Sequence, residues 1–205
     1  MPKELDVKNT ILESKRLILR GWQKEDLDDL YQIFTDPAIS EMSGCPTISS
    51  MEEAQALMKM FQDMNKVFAL VWKENGKVIG SLDLETPQFD FGEAYKNAYG
   101  KDVGCILHQD YWGNNIMVEA TDLMVDYCFQ QLQCDYMCCG HFEDNPQSER
   151  LIEKMGFHYQ RDVIFHPQTG GNPPENNPTV CVAASQQGGP RSPGSSFQCR
   201  SSSPA

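Results

Sequence analysis

The residues of this chain best placed to do chemistry lie around a short polar turn, Asp110, Tyr111, Trp112, Gly113, Asn114 and Asn115. An apolar run at 103–107 precedes the turn, and an apolar-periodic stretch opens at Ile116. A strand that turns sharply into a helix leaves the first N–H groups of the helix unpaired. Those donors and the positive end of the helix dipole favour a phosphate. Gly113 lets the backbone approach such a ligand closely, and asparagine tolerates the left-handed conformations of a tight loop. An ordinary strand–turn–helix of an α/β domain has the same local pattern, and both readings stay open at this level. Other reactive groups have plain alternatives. His141 can titrate near neutrality, but its place in the apolar run 136–142 reads as structural. Cys105-x-x-His108 and Cys138–Cys139–Gly140–His141 come nearest to a metal site, yet no Cys-x-x-Cys or paired Cys/His set is present, and no metal is expected.

The elements that would position these groups follow from periodicity. Ile116, Ala120, Leu123, Met124, Tyr127 and Cys128 recur at three- and four-residue steps, which predicts a helix running to about Gln133. Residues 16–20 alternate basic and apolar side chains, as a first strand does. A helix follows with Leu27, Leu30, Tyr31 and Phe34 on one face, ending near Pro37. Ser49 and Ser50 introduce a second helix with Ala54, Leu57, Met58 and Phe61 as its apolar stripe. Asn75–Gly76 between the runs 67–72 and 77–84 predicts a hairpin closed by a type I′ turn. Residues 86–101 read as a long loop. After the strand 136–142, Asn145 caps a helix with Pro146 in its first position, Leu151, Ile152 and Met155 facing inward, and Gly156 ending it in the left-handed conformation.

With 205 residues, one domain with a substantial core is expected. A net charge of -12 disfavours a general nucleic-acid binder and suits a cationic or amine-bearing partner. No signal-like start and no membrane-length apolar run occur, so a cytoplasmic protein without a membrane partner is expected. The eight cysteines then read as buried small apolar side chains rather than disulfides. Beyond His166 the composition changes to Pro, Gly, Ser, Gln and Asn, with seven of the twelve prolines. Such a segment buries too little surface to offset its ordering entropy. Residues 12–166 are therefore expected to form the domain and 167–205 a disordered tail. Residues 179–183 look too short to serve as a final strand, which would leave 163–165 as an unpaired edge beside 136–142 and invite self-association, a homodimer included.

Two blocks, Tyr111–Trp112–Gly113 with Ile116 and Glu119–Ala120, and 141–148 through Glu153–Lys154–Met155–Gly156–Phe157, together resemble the GNAT superfamily of acetyl-CoA-dependent N-acetyltransferases, in its ribosomal-protein-alanine acetyltransferase (RimJ/RimL-type) branch. Residues 13–20 agree with that branch as well. Asp110 stands where Gln or Arg is usual, Asn115 where Gly or Ala is usual, and Ile152 where some relatives carry an acidic Tyr. The resemblance implies an α/β fold with a mixed, mostly antiparallel sheet, split at a central acetyl-CoA cleft and flanked by helices on both faces. It implies pyrophosphate binding by the loop from Asp110 to Ile116. Backbone N–H groups near Ile106 and Leu107 would take the thioester carbonyl and pantetheine arm, with Asn145 and Ser148 beside the sulfur. Asp102 matches the family's general base in position, one methylene shorter, and Ser148 is the remaining candidate to protonate the thiolate. Without the resemblance, Asp102 reads as a solvated carboxylate at a strand edge and Ser148 as a helix-start residue bonding the backbone. The implied activity is direct acetyl transfer to the primary amine of a small molecule or peptide, chosen by residues 37–46 and 86–101. The alternative is a non-catalytic acyl-CoA-binding relative with an incomplete C-terminal sheet.

Overall fold

A computed structural model describes residues 4–43, 45, 47–88, 91–142, 145–164 and 178–185. Eight strands form one sheet: β1 (Leu12–Glu13), β2 (Leu17–Gly21), β3 (Val67–Trp72), β4 (Val78–Glu85), β5 (Gly100–Leu107), β6 (Tyr136–Phe142), β7 (His158–Ile164) and β8 (Pro178–Ser185). Their order is β1-β2-β3-β4-β5-β6-β8-β7. Every neighbouring pair is antiparallel except β5–β6, which is parallel. Five helices accompany them: α1 (Leu27–Phe34), α2 (Pro37–Ser43), α3 (Met51–Met64), α4 (Ile116–Asp126) and α5 (Pro146–Lys154). The mixed, mostly antiparallel sheet with helices on both faces is the architecture expected from the sequence. Among the described residues no helix is long and apolar enough to cross a membrane.

Two apolar layers hold the sheet. On one face Leu30, Ile33 and Phe34 of α1 and Ala54 and Met58 of α3 pack on Val67, Ala69, Val71 and Val78. On the other, Ile116, Ala120 and Met124 of α4 and Ile152 of α5 pack on Leu17, Leu19, Phe68, Leu70, Leu82, Leu84 and Met137. Strand residues alternate between these layers, as a two-residue period requires. Ser50 caps α3 by accepting from the Glu53 N–H at 3.2 Å. The helical run after Ile116 ends as the periodicity foretold, but its last turn, Tyr127–Gln131, widens to a π-helix in which Leu132 N–H bonds the Tyr127 carbonyl at 3.1 Å.

Three expectations are corrected. The β3–β4 hairpin exists, but of its two central residues only Gly76 takes positive φ, at 74°, so the turn is not type I′. The Trp72 N–H bonds the Lys77 carbonyl and the Gly76 N–H bonds the Trp72 carbonyl, which closes a longer loop. Residues 100 and 101, read as the end of a long loop, belong to β5, and residues 37–43, to which no element was assigned, form α2. Most consequential is the C-terminal segment. Residues 178–185, assigned to a disordered tail, form β8, which pairs with β6 from Tyr136↔Ser185 to Phe142↔Thr179 and with β7 on its other side. The strand at 158–164 therefore does not lie beside β6; it pairs with β8 on one side and is the last strand of the sheet among the described residues. The remaining tail residues, 167–177 and 186–205, lie outside those described. The composition was misleading because the short β-prone run Thr179–Val180–Cys181–Val182 is diluted by the Pro- and Asn-rich residues before it.

A strand inserted between two others carries two ladders of backbone bonds, so deleting residues 178–205 should lower the melting temperature by more than about 10 °C, or prevent folding altogether. Thermal denaturation of the truncated chain checks this, and an unchanged transition would mean that β6 and β7 close without β8.

Candidate active site

The parallel pairing of β5 with β6 lasts for three residue pairs, Gly100↔Tyr136, Lys101↔Met137 and Asp102↔Cys138. Beyond Asp102 both strands continue but no longer pair with each other, so a wedge opens along Val103–Leu107. His108 N–H donates to the Ile79 carbonyl of the strand on the other side at 2.8 Å. By the two-residue alternation of a strand, the backbone groups of Ile106 point the same way, towards β4. Those of Cys105 and Leu107 face the wedge. The N–H groups free for a ligand are thus one residue displaced from Ile106. The Leu107 carbonyl is taken by the Trp112 indole N–H at 2.7 Å, which folds the turn back over the end of β5.

A cavity of about 290 Å³ fills the wedge. Its lining brings together Ile106, Leu107, Tyr111, Trp112, Gly113, Asn115, Ile116, Asn145 and Ser148 of the residues singled out in the sequence. Asp110 and Asn114 are in the same turn but do not line it. Asp110 is exposed, and the Asn114 side chain donates to the Trp112 carbonyl at 3.0 Å. Asp102 does not line it either. Met42 and Ser43 of α2, within the stretch 37–46 expected to choose the acceptor, do line it, and so do Arg150 and Lys154 of α5, which sequence reasoning did not assign to the site. Arg150 and Lys154 sit four apart, so both reach the same side of α5. That spacing was the available signal for a cationic rim.

The start of α4 suits an anion. Asn115, the residue before the helix, lies in the left-handed region at φ 54°, ψ 25°, and its side chain makes no capping bond. The starts of α3 and α5 are capped by Ser50 and Asn145. Gly113 has φ 77°, and a Cβ there would meet no protein atom within 4 Å, so space next to the turn is open. The turn is held from behind. Arg16 donates through Nε to Glu119 at 2.6 Å and through its terminal nitrogens to the Asn114 carbonyl at 3.2 and 3.3 Å. Ser14 Oγ donates to the other Glu119 oxygen at 2.6 Å. Glu119, in the first turn of α4, is thereby neutralised, and these bonds keep its carboxylate below the usual range. Across the wedge, Asn145 Oδ1 accepts from the Ser148 N–H at 2.9 Å while its Nδ2 donates to the Met42 carbonyl at 3.1 Å. One side chain thus caps α5 and ties it to α2.

On the sheet face away from α4, the register places Glu85 opposite Asp102 and Asp83 opposite Gly104. The Asp83 carboxylate lies over Gly104, where a Cβ would overlap it. Burial, then the charges of Asp102 and Glu85, push Asp83 up to about 7. Burial and Glu85 push Asp102 up to about 6 against a hydrogen bond involving Cys138. Lys66 is engaged by Glu85 at 2.7 Å. Phe91 and Tyr95 of the loop after β4 pack against Tyr136 with centroids 5.6 and 4.9 Å away, and the Tyr136 ring lies over Gly100, where the β5–β6 pairing begins. His141, buried, bonds the Phe142 carbonyl through Nδ1, which is the structural reading given to it from sequence.

A family model for the acetyltransferase (GNAT) domain matches residues 16–158, and the chain belongs to that family. It is an acetyltransferase of the GNAT type. An uncharacterized N-acetyltransferase, p20, of Bacillus licheniformis is 24% identical over 151 residues, 71% of this chain and 81% of that protein. A spermidine N-acetyltransferase from Vibrio cholerae, solved with CoA and spermine, superposes with TM-score 0.65 at 16% identity, covering 85% of this chain and 98% of the other. A protein described as a ribosomal-protein-serine acetyltransferase, also from Vibrio cholerae, gives TM-score 0.66 at 14% identity, covering 87% of this chain and 99% of the other.

The raised carboxylates carry a stability signature. A group whose folded pKa exceeds its unfolded value favours the folded state fully below the unfolded pKa, and this advantage is lost as pH rises through the folded pKa. For Asp83 that window runs from about 3.8 to about 7. Asp83→Asn, which cannot ionise, should therefore melt higher than the wild type at pH 8, by about 3 °C or more, with no gain at pH 4. Paired melts at the two pH values check this, and an equal difference at both would mean that Asp83 is not held protonated by its surroundings.

Proposed function

We propose that this chain transfers the acetyl group of acetyl-CoA directly to a primary amine. The observation that carries the reading is the wedge itself, with strand N–H groups free along one wall and an uncapped helix start at its mouth. Those features fit the parts of acetyl-CoA in order. The pyrophosphate would lie at the turn from Asp110 to Ile116, where first-turn N–H groups lack a cap and Arg150 and Lys154 add positive charge. The pantetheine arm would run along β5, bonding the N–H groups of Cys105 and Leu107 as an added strand does. The thioester would end near the point where the strands part, with Asn145 and Ser148 beside the sulfur.

Acetyl transfer then asks little of the side chains. A neutral amine attacks the thioester carbon, the carbon–sulfur bond breaks, and the thiolate leaves with a proton. Asp102 is read as part of the proton-accepting side, because it stands at the last paired position of β5 with its pKa raised to about 6. Ser148 is read as the donor to sulfur, being half-buried at the cavity wall with its backbone N–H already satisfied by Asn145. Closeness and orientation supply most of the remaining acceleration.

The acceptor is a small-molecule or peptide amine. The sequence motifs favour the branch acting on protein N-termini, whereas the Vibrio cholerae structure with spermine illustrates a small polyamine in a similar fold. The net charge of -12 and the carboxylates on the acceptor face suit either kind of cation. A binding-only relative was suggested by Asn115, by Ile152 and by an incomplete sheet, and β8 removes the last of these grounds.

Incubation with acetyl-CoA and a panel of small amines and N-terminal peptides, followed by free thiol, should show amine-dependent release at least about tenfold above hydrolysis. Acetyl-CoA binding by calorimetry without thiol release for any amine would favour the binding-only reading.

A further inference from the structure

We propose that Asp83 and Asp102 act as one carboxylate pair that receives the ammonium proton of the acceptor, with Asp83 as the member on which the proton comes to rest. The inference rests on the acetyl-transfer reading and adds a residue that the family motif does not supply.

Placement is the first ground. In the β4–β5 register Glu85 faces Asp102 and Asp83 faces Gly104, so the three carboxylates share one sheet face, opposite to the face covered by α4. Asp102 is the last residue of β5 paired to β6, and Gly104 lies two residues past the point of separation. Because Gly104 has no side chain, the Asp83 carboxylate rests against the main chain of β5, between Val103 and Cys105. A thioester lying along the open edge of β5 therefore has a carboxylate across the strand from it.

The surroundings are the second ground. Lys66 is tied to Glu85. Cys138 shares a hydrogen bond with Asp102, and Tyr136 beside it is held in its neutral form by burial and by the neighbouring Cys138 and Asp102. Cys45, after α2, and Cys105, on β5, are both kept as thiols by burial, the latter pushed up to about 12. Among the described residues neither Asp83 nor Asp102 has a Lys, Arg or His within ion-pair distance. Two half-buried carboxylates one strand apart, with no cation of their own, ionise in sequence rather than together. Burial pushes Asp102 up to about 6, and burial together with the charge of Asp102 pushes Asp83 up to about 7. An incoming ammonium supplies the missing cation.

The step balances without any further reactant. An N–H bond of the ammonium breaks, an O–H bond forms on Asp83, and the electron pair stays on nitrogen. That pair attacks the thioester carbon, and the carbon–sulfur bond breaks with its electrons on sulfur. The second proton lost by nitrogen goes to the thiolate. The first leaves Asp83 to solvent before the next turnover. An alkyl ammonium releases its proton only near pH 10 unaided, so a base that is free above about pH 7 but not strongly acidic is suited to take it.

Rate against pH for wild type, Asp83→Asn and Asp102→Asn, using an amine that the thiol-release panel finds active, tests the pair. The acidic limb of kcat/KM for the amine should have its midpoint near 7 in the wild type and near 6 in Asp83→Asn. At pH 8 the Asp83→Asn rate should fall at least about tenfold, with KM for acetyl-CoA within about twofold. In Asp102→Asn the limb should also move below 7, because one of the charges that add to burial in raising Asp83 is gone. A limb that stays in place in Asp83→Asn, or a loss by the same factor at every pH, overturns the proposal. Carboxyl carbon NMR of aspartate-labelled protein needs no acceptor and reads the pair separately. Two carboxyls titrating between 6 and 7, with the higher absent in Asp83→Asn, are expected, and both titrating near 4 would overturn the pair even if no amine proves to be a substrate.

Discussion

Everything at this site depends on β5 and β6 ceasing to pair after three residues. Two parallel strands that stayed together would bury their N–H and C=O groups in a ladder and leave no wedge. Once they part, the groups of Cys105 and Leu107 on the open side must find other partners, because unpaired backbone donors away from water are costly. The Leu107 carbonyl is met by the Trp112 indole. The free N–H groups are what a ligand with amide-like acceptors can satisfy. The split is kept open by what fills it on either side. Ile116 and Met117 of α4 and Leu151 of α5 line it from one face, and on the other Tyr136 with Phe91 and Tyr95 packs over the paired segment at Gly100.

That geometry has to be held against collapse, and two side chains far apart in sequence do much of it. Arg16, at the start of β2, fixes both the turn carbonyl of Asn114 and the carboxylate of Glu119. It thereby sets the direction in which α4 leaves the turn and removes a negative charge from the end of the helix that would face phosphate. Asn145 joins α5 to α2 across the cleft. The pairing β6–β8–β7 extends the sheet past β6, so the wall of the wedge formed by β6 is backed by a full ladder. Stability of the fold and shape of the cleft are thus parts of one arrangement.

Much of this was legible in the residues. Periodicity placed α1, α3, α4 and β3 to β6, and local chemistry placed Asn145 and Gly156 at the two ends of α5 as observed. The turn residues converge on the cavity because adjacency in sequence guarantees adjacency in space. What was not legible depended on long-range pairing. The β-prone run of β8 is short and set among Pro- and Asn-rich residues, and its place is fixed by the two ladders it completes. Asp83 was invisible because its significance comes from register. Only when β4 lies against β5 does it meet Gly104 and share a face with Asp102. The acceptor is likewise not written in the fold, since structures bearing the names of spermidine and ribosomal-protein acetyltransferases superpose on it about equally well.

The central claim is that acetyl-CoA occupies the wedge between β5 and β6 and lies on the start of α4. Hydrogen–deuterium exchange with and without CoA tests it directly. Slower exchange is predicted at the amides of 105–107 and of 113–118, with 178–185 unchanged. Protection that spares 105–107 while appearing elsewhere, or no protection at saturating CoA, would contradict the account.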